Sequence, residues 1–201
     1  MTFVSPWWDA KFADSSIHGE CAQKRLMHSA LKVCKARRTA VDVGAHIGIW
    51  TAFMADQFRQ VYSFEPVAEN MTCNKTNVTQ DNVHFIDTAL GDFDGTVSME
   101  KHGDNSGCWH CIDGGSIQLT RLDDYELTDV DLLKIDVEGM EGRVLNGARQ
   151  TLHAAHPVIV IEYNGLGLRL YGEDWLDPKE LLKQHGYRIQ ARIRKDEIWS
   201  A

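Results

Sequence analysis

The chain has 201 residues, with 21 Lys or Arg against 29 Asp or Glu and a formal net charge of −8. This length predicts one domain over residues 1–201, and a hydrophobic content of 43% is enough to build its core and argues against global disorder. The acidic excess argues against nucleic-acid binding and against attachment to an anionic membrane surface.

The N-terminal residues lack the pattern of a secretory signal, and no run of 18 apolar residues predicts a membrane span. We therefore expect a cytoplasmic protein without membrane insertion. The odd number of cysteines, which are Cys21, Cys34, Cys73, Cys108 and Cys111, does not indicate a disulfide framework. Cys108 and Cys111 form one CxxC near His102 and His110, but no second CxxC completes a zinc site, so a glycine-rich surface loop is favoured there.

Apolar runs of strand length alternate with helical patterns, which predicts βαβ units and a parallel sheet. A helix from about Glu20 to Lys35 belongs to an N-terminal cap over about residues 1–36. The predicted strands are Thr39–Val43, Val61–Glu65, Val83–Ile86, Asp131–Val137, Pro157–Tyr163, Tyr187–Ile193 and Glu197–Trp199. The predicted helices are Ile49–Phe58, one that starts after Pro66, a residue suited to a first helical turn, Met140–Leu152 and Asp177–Gln184.

Two segments interrupt this alternation. Glycine and aspartate become frequent after Gly91, and VSMEK and SIQLTRL predict two strands of a hairpin-like insertion over about residues 91–118. Trp109 and His110 of this insertion could line an acceptor pocket. The segment Asn164–Trp175 predicts either a loop that covers the acceptor, with mobile glycines and water-excluding aromatic rings, or an ordinary connector.

The turn after the first strand, from Asp42 to Gly48, has the pattern DxGxxxG. Open α/β sheets bind ligands at the carboxyl ends of their strands. His46 stands where a dinucleotide-binding turn needs its second glycine, and the carboxylate of Asp42 would repel a pyrophosphate. The turn therefore favours an amino-acid-bearing nucleoside.

Acidic residues follow the next two predicted strands. Glu65 comes 23 residues after Asp42, close to the spacing at which a carboxylate accepts the hydroxyls of an adenosine ribose; the alternative is a surface glutamate. Asp87, Thr88 and Ala89 could meet an adenine edge, although Asp87 could equally form a turn.

Asp136 and Glu138 lie two residues apart, so both point to one face if the strand persists through Val137. Repulsion between the carboxylates would raise one pKa and make that group a proton acceptor near neutral pH. Alternatively, Glu138 caps the following helix. Glu162 and Asn164 could join Asp136 around a divalent cation, but this ligand set is incomplete and no metal site is assigned.

Three blocks, VDVGAHIG with SFEP, LLKIDVEGMEGRVLNGA, and PVIVIEYN, resemble the FkbM-type S-adenosylmethionine-dependent methyltransferases over roughly Thr39 to Tyr163. The resemblance implies the Rossmann-like α/β fold of class I methyltransferases. In this fold a seven-stranded, mostly parallel sheet has helices on both faces and an antiparallel last strand. It also implies S-adenosyl-L-methionine as cofactor and, usually, O-methylation of a hydroxyl on a small acceptor such as a sugar, a glycan or a specialised metabolite.

Carried over by position, the resemblance assigns the methionine end to the first turn, the ribose to Glu65, and the methionine amino group or the space near the methyl group to Asp136. The expected cofactor-binding residues are Asp42, Gly44, Ala45, His46, Gly48, Glu65, Asp87, Ala89 and Asp136. The expected catalytic residues are Asp136 and Glu138. An N- or carboxyl-methyltransferase, and a non-catalytic nucleoside-binding or interaction module on the same scaffold, remain alternatives.

Overall fold

The computed structural model describes residues 3–5, 23–101 and 106–201. These residues form a seven-stranded main sheet and a four-stranded inserted sheet. The N-terminal cap predicted over about residues 1–36 lies mostly outside them; its helix is described over residues 23–33 (α1) and buries Leu26, Met27 and Ala30. No helix in the described part of the chain is long and apolar enough to cross a membrane.

The main sheet has the strand order β10-β11-β9-β8-β1-β2-β3. Only β11 runs antiparallel to its neighbours, β9 and β10, which confirms the predicted mostly parallel sheet with one antiparallel strand. The strands are β1 (Thr39–Val43), β2 (Gln60–Phe64), β3 (Val83–Ile86), β8 (Val130–Ile135), β9 (Val158–Glu162), β10 (Arg188–Ile193) and β11 (Asp196–Ser200).

Both faces of the main sheet are covered, because alternate residues of each central strand enter different cores. Val41 and Val43 of β1 pack with α4, α5 and α7 (Glu141–Asn146, Arg149–Ala155 and Pro178–Gln184). Ala40 packs on the other face with α1 and α2 (Ile49–Ala55). Two further helices are α3 (Ala68–Asn77) and α6 (Leu166–Tyr171). Burial on both faces explains the unbroken apolar strand sequences.

Two helix predictions need correction. Pro66 lies ahead of the Val67 N-cap of α3 and not in its first turn. The predicted helix Met140–Leu152 is two helices, because the chain breaks after Asn146. The carboxylate of Asp123 accepts the backbone N–H groups of Gln150 and Thr151 at 2.9 Å each and so caps a new helix start.

The segment predicted as a hairpin-like insertion belongs to a four-stranded sheet. Its strands are β4 (Ala89–Leu90), β5 (Gly95–Lys101), β6 (Trp109–Asp113) and β7 (Ile117–Thr120), in the order β4-β7-β5-β6. Strand β6 contains Cys111 of the CxxC and was not predicted, because its five residues lack an alternating pattern. The inserted sheet leaves the main sheet directly after β3.

A buried ion pair joins the two central strands of the main sheet. Asp42 of β1 and Lys134 of β8 are partners in the strand register. Lys134 Nζ lies 3.2 Å from Asp42 Oδ1 and donates to the carbonyl of Gly44 at 2.7 Å. The second oxygen of Asp42 accepts the hydroxyl of Thr51 at 2.7 Å. This pair fixes the start of the glycine turn relative to β8.

We predict that Lys134→Met lowers the free energy of unfolding by about 3 to 5 kcal/mol, because it leaves the fully buried Asp42 carboxylate without its cation. Urea denaturation measures the loss. The matched control is Lys183→Met, which removes an exposed lysine whose partner Glu180 is also exposed. It should change the free energy of unfolding far less, because water and salt screen an exposed ion pair. Equal losses in the two variants would show that the buried ion pair stabilises the fold no more than an exposed one.

Candidate active site

A cavity lies at the carboxyl ends of β1, β2 and β8, where the loops that follow these strands meet. Gly44, Ala45 and His46 of the glycine turn line it, together with Glu65 after β2 and Asp136 after β8. The parallel strands place these side chains at one edge of the sheet, as expected for a ligand site in an open α/β fold.

The glycine turn is pressed against the loop that follows β8. Gly44 has φ +75°, and a Cβ atom there would lie 1.9 Å from the carbonyl oxygen of Asp136. The N–H groups of Gly44 and Ala45 both donate to the carbonyl of Phe64, at 3.0 Å each. A side chain at position 44 would therefore separate the two loops that form the cavity wall.

Asp42 and Gly48 support the turn from beneath and are absent from the described cavity lining. Asp42 is fully buried among Thr51 and Lys134. Although burial acts to lower the pKa of Lys134, the charges of Asp42 and Asp136 raise it, so Lys134 stays protonated. Gly48 has φ +89° and leaves no room for a Cβ atom beside Asn74.

Glu65 is 5% exposed and connects β2 to the glycine turn. Its Oε2 accepts the backbone N–H of His46 at 2.8 Å, and its Oε1 accepts that of Val67 at 2.9 Å. Burial raises the pKa of Glu65 to about 7, although these N–H groups act to lower it. Glu65 therefore lies in the cavity wall and is not a surface glutamate.

The residues after β3 separate into two groups. Thr88 and Ala89 are buried, and both line the cavity beside Leu90. The side chain of Asp87 is exposed and is not part of the described lining.

Three carboxylates lie together at the cavity: Asp136, Glu138 and Glu162, which we call the acidic triad. One oxygen of each lies within 4.8 Å of the others. The predicted basis for this proximity was wrong, because β8 ends at Ile135 and the two acidic residues of its loop do not share a strand face. A left-handed turn at Glu138, with φ +53°, brings its carboxylate to the other two.

The acidic triad carries perturbed pKa values. Burial raises the pKa of Glu138 to about 7, and repulsion from Asp136 adds to this effect. Burial and the same repulsion raise the pKa of Glu162 to about 8, against the opposing effect of its ion pair with Lys195. Lys195 lies in the turn between β10 and β11. The triad can therefore hold or release a proton near neutral pH.

By distance the acidic triad could also bind a cation, but Asn164 is not arranged to join such a site. Its Nδ2 donates to Glu162 Oε2 at 3.1 Å, and its Oδ1 accepts the N–H of Leu166 at the start of α6. The N-cap of α4 is Met140, so Glu138 does not hold the capping position that was its alternative role. Glu141 accepts the N–H of Gly139 at 3.0 Å, in the loop before the helix.

The inserted sheet forms another wall of the cavity. Met99, Gly107, Trp109 and Cys111 line it, whereas His110 does not. Cys111 Sγ lies 3.5 Å from Met99 Sδ, and burial raises the pKa of its thiol to about 12, so it packs as an apolar group. His102, the other histidine near the CxxC, lies outside the described residues.

The inserted sheet is also bonded to the loops around the cavity. His46 Nε2 lies 2.6 Å from Ser106 Oγ, and Asn70 Nδ2 donates to the carbonyl of Ser106 at 2.9 Å.

The segment Asn164–Trp175 contains α6 and a short 3₁₀ helix, Gly172–Asp174, and is not an irregular loop. A Cβ atom on Gly167 would lie 2.5 Å from the carbonyl oxygen of Gly139, so α6 packs closely on the loop after β8. Tyr171 donates to the carbonyl of Cys111 at 3.0 Å. Neither Tyr171 nor Trp175 belongs to the described cavity lining.

Sequence reasoning missed three side chains that shape this site. Lys134 stands two residues before Asp136 on β8, and that spacing in a buried strand was an available signal. Asn70 has no such signal, because the sequence does not distinguish it from Asn74 and Asn77 of the same helix. Lys195 lies in a hairpin turn and reaches Glu162 only through the antiparallel pairing of β11 with β9.

The chain is similar in sequence and in fold to known methyltransferases. The family model of the methyltransferase FkbM domain matches residues 42–189. No curated protein matches the chain. The crystal structure of methyltransferase FkbM from Methylobacillus flagellatus is 16% identical with a TM-score of 0.55, and the match covers 82% of this chain and 44% of that one. The chain thus spans less than half the length of that protein.

Two other solved structures show the same fold at low identity. Precorrin-6y C5,15-methyltransferase from Geobacter metallireducens is 14% identical with a TM-score of 0.52, over 88% of this chain and 84% of that one. A methyltransferase-type protein from Streptococcus mutans, in complex with SAH, is 11% identical with a TM-score of 0.53, over 90% and 98%. Since the family model extends from the glycine turn to β10, the chain belongs to the FkbM family of S-adenosylmethionine-dependent methyltransferases.

Proposed function

We propose that the cavity binds S-adenosylmethionine and that the chain methylates a hydroxyl group of a small acceptor. The observation that carries this proposal is that the acidic triad lines the same cavity as the glycine turn and Glu65. A methyl donor held by the turn and Glu65 would thus share one cavity with a group that can accept a proton.

The acceptor groups and the apolar side chains of the cavity fit this cofactor. An ionised carboxylate has about four acceptor sites, and the two N–H groups that Glu65 accepts leave room for ribose hydroxyls. Asp136 is 41% exposed at the cavity and suits the ammonium group of the methionine end. Leu90, Met99 and Trp109 supply apolar surface for the adenine ring of the cofactor.

We assign the cofactor to Gly44, Ala45, His46, Glu65, Ala89 and Asp136, all of which line the cavity. Asp42 and Gly48 act indirectly, by holding the glycine turn. The adenine role of Asp87 stays a prediction from the sequence alone.

When bound, S-adenosylmethionine supplies an electrophilic methyl group, and the task left to the protein is to orient the acceptor oxygen and remove its proton. Glu138 suits proton removal best. The left-handed turn directs its carboxylate toward Asp136 and Glu162, and a pKa of about 7, raised by burial, makes it an effective base at neutral pH.

The charges of the cavity favour an acceptor without phosphate. Glu65 and the three members of the acidic triad line the cavity, while Lys134 is the one cation in its described lining and is already bonded to Asp42 and Gly44. Solved structures with the same fold include rRNA methylases from Clostridium thermocellum and Streptococcus thermophilus. A phosphodiester chain entering this cavity would meet carboxylates, so we favour a sugar, a glycan or a specialised metabolite.

A second candidate is N-methylation, because the acidic triad would also attract a protonated amine. Incubation with S-adenosylmethionine carrying an isotopically labelled methyl group, against a panel of neutral polyols, glycosides and amines, separates the two by product analysis. Calorimetric titration with S-adenosylhomocysteine tests the cofactor assignment first. Folded protein that gives no binding heat would overturn the proposed function.

We predict that Glu65→Gln weakens binding of S-adenosylhomocysteine by about ten- to a hundredfold, because hydrogen bonds to a charged group contribute about 1.5 to 3 kcal/mol. The amide also cannot accept both N–H groups that Glu65 accepts, so the unliganded variant should lose about 1 kcal/mol of stability. Calorimetry and urea denaturation measure the two effects. Glu69→Gln, an exposed change on α3, is the control, and equal affinities in both variants would remove Glu65 from the site.

We predict that Glu138→Gln lowers kcat by about 10² to 10⁴, the usual contribution of a general base, while the affinity for S-adenosylhomocysteine stays within about threefold. Asp136→Asn should weaken cofactor binding as well, because it removes the charge opposite the ammonium group. Single-turnover assays and calorimetry separate the two effects, with exposed Glu173→Gln as the control. Undiminished turnover in Glu138→Gln would refute the base assignment.

The acidic triad also predicts a pH dependence of stability. The folded pKa values of Glu138 and Glu162, about 7 and about 8, exceed the ordinary value of 4.5 because burial disfavours their charge. Between pH 4.5 and 8 these two groups therefore bind more protons in the folded state than in the unfolded chain. Their contribution to the free energy of unfolding consequently falls as the pH rises. Urea denaturation across this range should give a shallower decline for Glu162→Gln than for the wild type. Glu173→Gln should keep the wild-type slope.

A further inference from the structure

Asn70 is a buried side chain in the cavity wall whose hydrogen bonding is incomplete. It lies in the first turn of α3, is 2% exposed, and lines the cavity beside His46 and Glu65. Its Nδ2 donates to the carbonyl of Ser106 at 2.9 Å. The amide also contacts Glu65 and acts to lower the pKa of that carboxylate. Its Oδ1, in contrast, is buried and accepts no hydrogen bond from the described part of the chain.

The orientation of this amide follows from its partners. The carbonyl of Ser106 and the carboxylate of Glu65 are both acceptors, so they face the N–H groups of Asn70 and leave Oδ1 directed elsewhere. Buried polar atoms are almost always hydrogen-bonded. An unbonded amide oxygen on a residue that lines a cavity therefore indicates where a ligand places an O–H or N–H donor.

We propose that Asn70 is a further cofactor-binding residue, whose Oδ1 accepts one hydroxyl of the ribose while Glu65 accepts the other. This inference rests on the proposed function. A vicinal diol carries two donors on adjacent carbon atoms, and Asn70 and Glu65 offer two acceptors on side chains that contact each other. A diol can thus donate to both acceptors at once.

Asn74 provides a matched control on the same helix. It is fully buried, and its Oδ1 also has no hydrogen-bond partner among the described residues. However, its Nδ2 donates to Ser63 Oγ at 2.9 Å, and the residue packs under Gly48 outside the described cavity lining. Asn70→Ala and Asn74→Ala therefore remove the same groups from the same helix, but only the first changes the cavity.

The experiment measures the affinities of S-adenosylhomocysteine and its 2′-deoxy and 3′-deoxy analogues by calorimetry, for wild type, Asn70→Ala and Asn74→Ala. In wild type we expect each missing hydroxyl to weaken binding by about three- to tenfold or more, the usual effect of one hydrogen bond. In Asn70→Ala the penalty for one of the two hydroxyls should shrink to less than about twofold, while the other is retained. Asn74→Ala should retain both penalties.

The outcomes separate the inference from the function on which it rests. If Asn70→Ala keeps both penalties, or weakens all three ligands by the same factor, Asn70 does not accept a ribose hydroxyl and the inference is wrong. If wild type binds none of the ligands, the proposed function itself fails. Thermal melting of each variant before titration confirms folding, and the wild-type penalties remain informative if Asn70→Ala does not fold: a wild type indifferent to both hydroxyls contradicts the inference.

Discussion

The site depends on one buried cation placed between the two central strands. Lys134 of β8 lies against Asp42 of β1 and donates to the carbonyl of Gly44, the first residue after β1. Its Nζ is also 3.9 Å from Asp136 Oδ2, at the start of the loop after β8. One ammonium group therefore fixes two loops relative to each other. Without it, the fully buried carboxylate of Asp42 would have no cation beside it, at a high cost in free energy.

The two loops held by Lys134 share a second property. His46 and Glu138 are both non-glycine residues in the left-handed region, with φ +53° each, and both line the cavity. Such a conformation costs roughly 1 to 2 kcal/mol per residue. Hydrogen bonds offset part of this cost: Glu65 accepts the N–H of His46, and Glu141 accepts that of Gly139 next to Glu138. Backbone strain thus coincides with the residues that we assign to cofactor and proton, as is common at functional sites.

The inserted sheet completes the cavity on a side that the main sheet leaves open. Two of its attachments lie beside the cavity: Ser106, in the loop between β5 and β6, is bonded to His46 and Asn70, and Cys111 accepts the hydroxyl of Tyr171 from α6. The first attachment meets the turn and helix that would bind the nucleoside. The second meets the helix packed on the loop of the acidic triad. A few side-chain hydrogen bonds therefore fix the position of the inserted sheet relative to the other walls of the cavity.

The sequence by itself determined those helices and strands whose ends depend on residues close by in the chain. Strands β1 and β3 begin and end where their β-branched and apolar runs do, and α7 begins at Pro178 after the Asp177 N-cap, because these signals act within a few residues. The glycine turn, Glu65 and the pair of acidic residues after β8 were also identifiable, since parallel strands bring their carboxyl ends to one edge.

The tertiary structure decided the rest. Asp123 splits one predicted helix into two, the turn at Glu138 assembles the acidic triad, and Lys195 reaches Glu162 across an antiparallel pairing. Each of these depends on a contact between residues far apart in the chain or on a backbone conformation imposed by packing, and local sequence patterns encode neither.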